Sequence, residues 1–86
     1  MNRQELETKI RGALAFLTDR DVSDIQLDRD LSEELGLDSL SRLELLSEVE
    51  EQLDVVIYDM DTGKASTIRG MIEICEAAIA ENMESA

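Results

Sequence analysis

Three stretches of this chain repeat apolar residues at helical spacing, and no two alternating stretches are available to pair as a sheet, which confines the fold to packed helices. In the first, Leu6, Ile10, Ala13, Leu14 and Leu17 lie on one stripe, so a helix from about Arg3 to Leu17 must turn that stripe toward a core, with Asn2 as its candidate cap. In the second, from about Ser39 to Leu53, a turn of roughly 100° per residue groups Leu45, Leu46, Val49 and Leu53 on one side. In the last, which begins near Ser66 or Thr67, Ile68, Ile72, Cys75 and Ile79 share a face that Glu73, Glu76 and Glu81 avoid. Val55-Val56-Ile57-Tyr58 is β-branched and aromatic enough to suggest a strand. Without a partner it is placed in the loop that closes the bundle, with Val56 or Ile57 buried and a short third helix following from about Asp59 to Gly63. The expected fold is all-α: a small four-helix bundle of three long helices plus one short, spanning residues 1–86 as a single domain.

The segment from Thr18 to Asp38 has no steady period. It places Val22, Ile25, Leu27, Leu31, Leu35 and Leu37 as anchors among acids and turn formers, with a short helical turn at Ser32-Glu33-Glu34-Leu35. A connection this long is uncommon in a small domain unless it serves a function. What it delivers is Ser39, where a turn-forming run gives way to the acidic second helix.

Charge and composition then exclude whole classes of chemistry. Eight basic against 21 acidic residues give a formal net charge of −13, which repels nucleic acid and anionic membranes and attracts basic protein surfaces. From Leu43 to Gly63 the acids Glu44, Glu48, Glu50, Glu51, Asp54, Asp59 and Asp61 occur with no lysine or arginine among them. There is no histidine for an imidazole-based catalytic pair or a Cys/His metal site, and the single Cys75 cannot form an internal disulfide. Cys75, on the apolar face of the last helix, reads as a small core residue. Asp59-Met60-Asp61-Thr62-Gly63 lacks the further ligands of a calcium loop, so no metal site is expected. Neither an early apolar signal region nor a stretch of about 20 apolar residues is present, so a cytoplasmic protein is expected. With no base, metal set or phosphate-cradling glycine loop, the chain reads as a non-enzyme.

A serine in the first turn of a helix sits beside backbone N–H groups without intrahelical partners, at the positive end of the helix dipole, where a phosphate ester is well accommodated. Asp38-Ser39-Leu40 taken alone is also an ordinary capping arrangement. The surrounding run Leu35-Gly36-Leu37-Asp38-Ser39-Leu40-Ser41-Arg42-Leu43-Glu44-Leu45 resembles the modification site of acyl carrier proteins, with its Leu-Gly-x-Asp-Ser-Leu signature and following Glu-Leu. Val49-Glu50-Glu51-Gln52-Leu53-Asp54-Val55-Val56-Ile57 resembles the family's helix end and next loop, and Ala65-Ser66-Thr67-Ile68 the start of its last helix. The likeness runs without a gap from about Leu31 to about Cys75.

The resemblance implies that Ser39 receives a covalent 4′-phosphopantetheine arm from coenzyme A, with Asp38 orienting the serine or the incoming transferase. The arm's thiol would carry acyl intermediates as thioesters between fatty acid or polyketide-type biosynthetic enzymes. Alternatives are an aminoacyl or other specialised carrier of the same fold, or an unmodified acidic helical adaptor. The expected partners are a phosphopantetheinyl transferase and acyl-processing enzymes with basic docking patches, meeting a monomer. They would be met by Glu44, Glu48 and Glu51 as steering charges and by Leu40 and Leu43 as partly exposed apolar anchors. Leu45, Leu46, Val49, Leu53, Ala65, Ile68 and Ile72 are the expected walls of an acyl pocket. Ala65 stands where the family commonly has a larger aliphatic residue, which would widen that pocket. Arg42 replaces a residue that is usually small or uncharged. It is either a snorkelling surface arginine or a residue that narrows the choice of partner or cargo.

Overall fold

The computed structural model describes residues 2–57 and 63–85, with the side chains of residues 84 and 85 left aside. Four α-helices and one 3-10 turn make up its secondary structure, with no strand among the described residues: α1 (Arg3–Thr18), α2 (Leu31–Leu35), α3 (Ser39–Leu53), the 3-10 turn (Lys64–Ser66) and α4 (Ile68–Ser85). The all-α expectation holds, and α1 and α3 fall where their apolar spacing put them. The expected short helix from Asp59 lies outside the described residues except for Gly63, which sits in a turn ahead of the 3-10 element.

Each long helix starts where a side chain can meet its free N–H groups. Asn2 accepts from Glu5 N at 2.8 Å to open α1, and Thr67 Oγ1 accepts from Gly70 N at 2.9 Å to open α4. α1 and α3 end on Asp19 and Asp54, both with φ near +54°, a left-handed stop usually left to glycine. α1 packs against both α3 and α4, and the 3-10 turn packs against α4 and α3. Leu6, Ile10, Ala13 and Leu14 from α1 are buried, together with Leu45, Leu46 and Val49 from α3. From the other end of the chain come Ala65, Ile68, Ile72 and Cys75, with Met71, Ile74 and Ala78 added to the apolar face expected of α4, while Ile79 is only partly buried. Leu17 departs from expectation: one turn beyond the last buried residue of α1, it is 39% exposed because the helix has run past the core.

The long first connection is tied down by named bonds. Arg11 Nη1 donates to Val22 O at 2.7 Å, Arg69 N donates to Leu27 O at 3.0 Å, and the Arg69 guanidinium pairs with Asp28 at 2.6 Å. Val22, Leu31 and Leu37 are buried, with Ile25, Leu27 and Leu35 packed against the core. The expected turn at Ser32–Leu35 is α2, which starts one residue earlier at Leu31, is capped by Asp30, and ends on Gly36 with φ +69°.

The segment after α3 resolves the puzzle of a strand-like sequence with no partner strand. Side chains take the place of a neighbouring strand: Glu50 Oε2 accepts from Ile57 N at 2.7 Å, and Asn82 both accepts from Val56 N at 3.2 Å and donates to Val56 O at 2.8 Å. Ile57 is thereby held in the core, while Val56 is exposed. Tyr58 lies outside the described residues.

Candidate functional site

Ser39 is the first residue of α3 and is exposed. Its neighbour does the capping: Asp38 has extended backbone, and its carboxylate accepts from Ser41 N at 2.8 Å. The Ser41 backbone N–H, and next the Ser41 hydroxyl, hold the Asp38 carboxyl below the usual carboxylate range. The cap is therefore in place at neutral pH and is lost only as pH falls through that lowered value. Because Asp38 serves the free N–H groups, the Ser39 hydroxyl is not committed to the cap. It stands at the helix surface with no hydrogen-bond partner among the described residues.

The run leading to Ser39 is fixed from below. Ser32 Oγ donates to Leu37 O at 2.8 Å, Gly36 N returns to Ser32 O at 2.9 Å, and Leu37 is buried. The turn before the serine is thus anchored on both sides, and the hydroxyl is presented from a rigid helix end. An exposed, uncommitted hydroxyl in a helix's first turn fits a phosphate ester such as that of phosphopantetheine.

The residues expected around it fall into two groups. Leu40 is 64% exposed and Leu43 39%. Glu44 and Glu51 are exposed and Glu48 is half-buried, on the same helix. Glu44, Glu48 and Glu51 line an open groove of about 530 Å³ with Ser47, Glu50 and Leu17. Leu17 and Glu50 were not singled out from sequence for this face. Leu17 carried the apolar period of α1, and only the crossing of α1 over α3 brings it beside the acids. The second group, Leu45, Leu46, Val49, Ala65, Ile68 and Ile72, is buried in one apolar cluster, with Leu53 packed at its margin.

Three further features refine the sequence reading. Arg42 is half-buried, and its Nε donates to Asp38 O at 3.4 Å, so the side chain lies back toward the start of α3. Cys75 is fully buried; burial, and secondarily the Glu76 carboxylate, pushes its thiol up to about 11, which leaves it un-ionised at neutral pH. Gly70 was passed over in the sequence. An ideal Cβ there would lie 1.7 Å from Lys64 O, so α4 and the 3-10 turn meet at backbone distance. The signal available was a glycine inside a helical period, which marks close approach.

Comparison with known proteins agrees with this architecture. The family model for the phosphopantetheine attachment site matches residues 8–75. The chain is 27% identical over 79 residues to an acyl carrier protein of Exiguobacterium sp., covering 92% of this chain and all of that protein. It is 32% identical over 75 residues to acyl carrier protein 2 of Pseudomonas aeruginosa, covering 87% of this chain and 95% of the relative. It is also 40% identical over 75 residues to part of a polyunsaturated fatty acid synthase of Thraustochytrium sp., where 87% of this chain matches 3% of a much longer protein. The chain therefore belongs to the phosphopantetheine-binding acyl carrier protein family. Its role is that of an acyl carrier, and the prosthetic group of the family is covalently attached 4′-phosphopantetheine. Among the described residues, no helix is long and apolar enough to cross a membrane.

Proposed function

We propose that Ser39 is the attachment point of the arm and that this chain shuttles acyl intermediates between the enzymes of a fatty acid or polyketide-type pathway. The observation that carries this is the division of labour at the start of α3: Asp38 caps the helix, and the Ser39 hydroxyl is left exposed. The group, when bound, supplies a thiol that holds acyl chains as thioesters. The protein supplies no catalysis. Its rigid turn presents the hydroxyl, and the transferase brings the chemistry of transfer from coenzyme A. Likeness to a segment of a polyunsaturated fatty acid synthase and to free-standing carriers supports the pathway assignment. Incubation with coenzyme A and a phosphopantetheinyl transferase is expected to add the mass of one phosphopantetheine to the intact protein. An acidic adaptor that used Asp38-Ser39 only as a cap would gain nothing.

On this reading the partners are the transferase and acyl-processing enzymes, which dock on α3 through basic patches. Leu40 and Leu43 supply apolar contact, and Glu44, Glu48 and Glu51 supply steering. Rim charges of this kind act on association rate and fade as salt screens them, over a Debye length of about 8 Å at physiological ionic strength. Glu44→Gln with Glu48→Gln is expected to slow transferase association about tenfold at low salt and hardly at all at high salt, with dissociation little changed. Association that ignored both salt and the two substitutions would remove the steering role. We assign the buried cluster of Leu45, Leu46, Val49, Ala65, Ile68 and Ile72, with Leu53 at its edge, as the place where a hydrocarbon cargo inserts. Apolar side chains of α3, the 3-10 turn and α4 share this one buried cluster, and such side chains can repack around a chain.

A further inference from the structure

We infer that Arg42 is a positioning residue for the prosthetic arm, binding the phosphodiester that joins it to the protein; this rests on Ser39 being the attachment point. Residues 39 and 42 are three apart on α3, which makes them neighbours on the helix surface. The Arg42 side chain does not extend away from that end of the helix. Its Nε donates to the carbonyl oxygen of Asp38, the residue just before the serine, which draws the guanidinium back toward the place where the phosphate would stand.

Charge singles out the same residue. Arg42 is the only basic residue between Arg29 and Lys64. A phosphodiester on Ser39 would sit beside the Asp38 carboxylate, in a chain of net charge −13. An arginine one helical turn away offsets that repulsion, and the guanidinium's fork of N–H donors suits phosphate oxygens.

The spacing also gives the contact a direction. Residues 39, 42, 46, 49 and 53 recur at helical intervals, and of these Leu46 and Val49 are buried and Leu53 is at the core's margin. Arg42 therefore stands between the attachment hydroxyl and the inward stripe of α3. A phosphate held there starts the arm over that stripe, toward the apolar cluster, instead of out into solvent. This gives the arginine a role that neither partner selection nor simple snorkelling supplies.

The test uses the full-length protein loaded with coenzyme A and a transferase, with loading verified by intact mass. The Arg42 Nε–Hε resonance is expected to shift on loading, while that of Arg3, at the first turn of α1, stays in place. The transverse relaxation rate of the phosphodiester 31P signal is expected to fall about twofold in Arg42→Gln, the scale of one exposed ion pair, and to fall less in Arg42→Lys, which keeps the charge but not the fork of donors. Loaded protein in which the Arg42 resonance does not move and Arg42→Gln leaves 31P relaxation unchanged would overturn this inference and leave the attachment point standing. Failure of wild-type protein to gain the mass would instead overturn the attachment at Ser39, and this inference with it.

Discussion

Ser39→Ala is expected to abolish attachment of phosphopantetheine entirely while leaving the fold intact. The two nearest serines do not offer an equivalent oxygen. Ser41 contributes its backbone N–H and hydroxyl to the Asp38 carboxylate, and Ser32 donates its hydroxyl to Leu37 O. The substitution removes an exposed hydroxyl that plays no part in capping, so the circular dichroism spectrum and melting temperature should match those of the unsubstituted protein. Intact mass after incubation with coenzyme A and the transferase supplies the readout. Asp38→Ala makes the informative contrast: it removes the cap and should weaken the start of α3, so that loading falls together with order at the helix end.

Gly70→Ala is expected to be the most damaging small substitution outside the hydrophobic core. An ideal Cβ at residue 70 would lie 1.7 Å from Lys64 O and 2.8 Å from Lys64 C, whereas real Cβ atoms essentially never come within 3.0 Å of such neighbours. The obstacle is backbone, so no rotamer change relieves it. The 3-10 turn must withdraw, and it carries the fully buried Ala65, so withdrawal also opens the core between α3 and α4. Overpacking of this kind costs about 3 kcal/mol, a large share of the total stability of a domain this small. Urea unfolding should show a midpoint lowered in proportion, with an unchanged slope. Gly12→Ala is the control: a Cβ there meets nothing within 4 Å, and alanine's helix preference should raise stability by up to about 1 kcal/mol. Equal midpoints for the two variants would show that the contact between the turn and α4 is not as close as described.

The parts of this molecule that were legible in its sequence are those governed by local period and local chemistry. Leu6, Ile10, Ala13 and Leu14, and later Leu45, Leu46 and Val49, announce their helices because burying one stripe requires residues three and four apart. Asn2 and Asp38 announce helix starts because few side chains can meet a free N–H there. The candidate site was legible for the same reason, since turn, cap and serine are contiguous. What stayed hidden depends on contacts across the chain. Nothing near Glu50 or Asn82 reveals that the two side chains, 32 positions apart, clasp Val56 and Ile57 in place of a strand. Leu17 looked like core because its helical phase is right, but phase does not report where the core ends. Gly70 carries its meaning only through the carbonyl of Lys64, which the fold places against it.

The account depends most on which oxygen carries the arm. Tandem mass spectrometry of a proteolytic digest of the loaded protein measures that directly, because the fragment that releases phosphopantetheine identifies the modified residue. The result predicted is a single modified site, at Ser39. Modification at Ser32, Ser41 or Ser47, or a protein that takes up no phosphopantetheine at all, would contradict it.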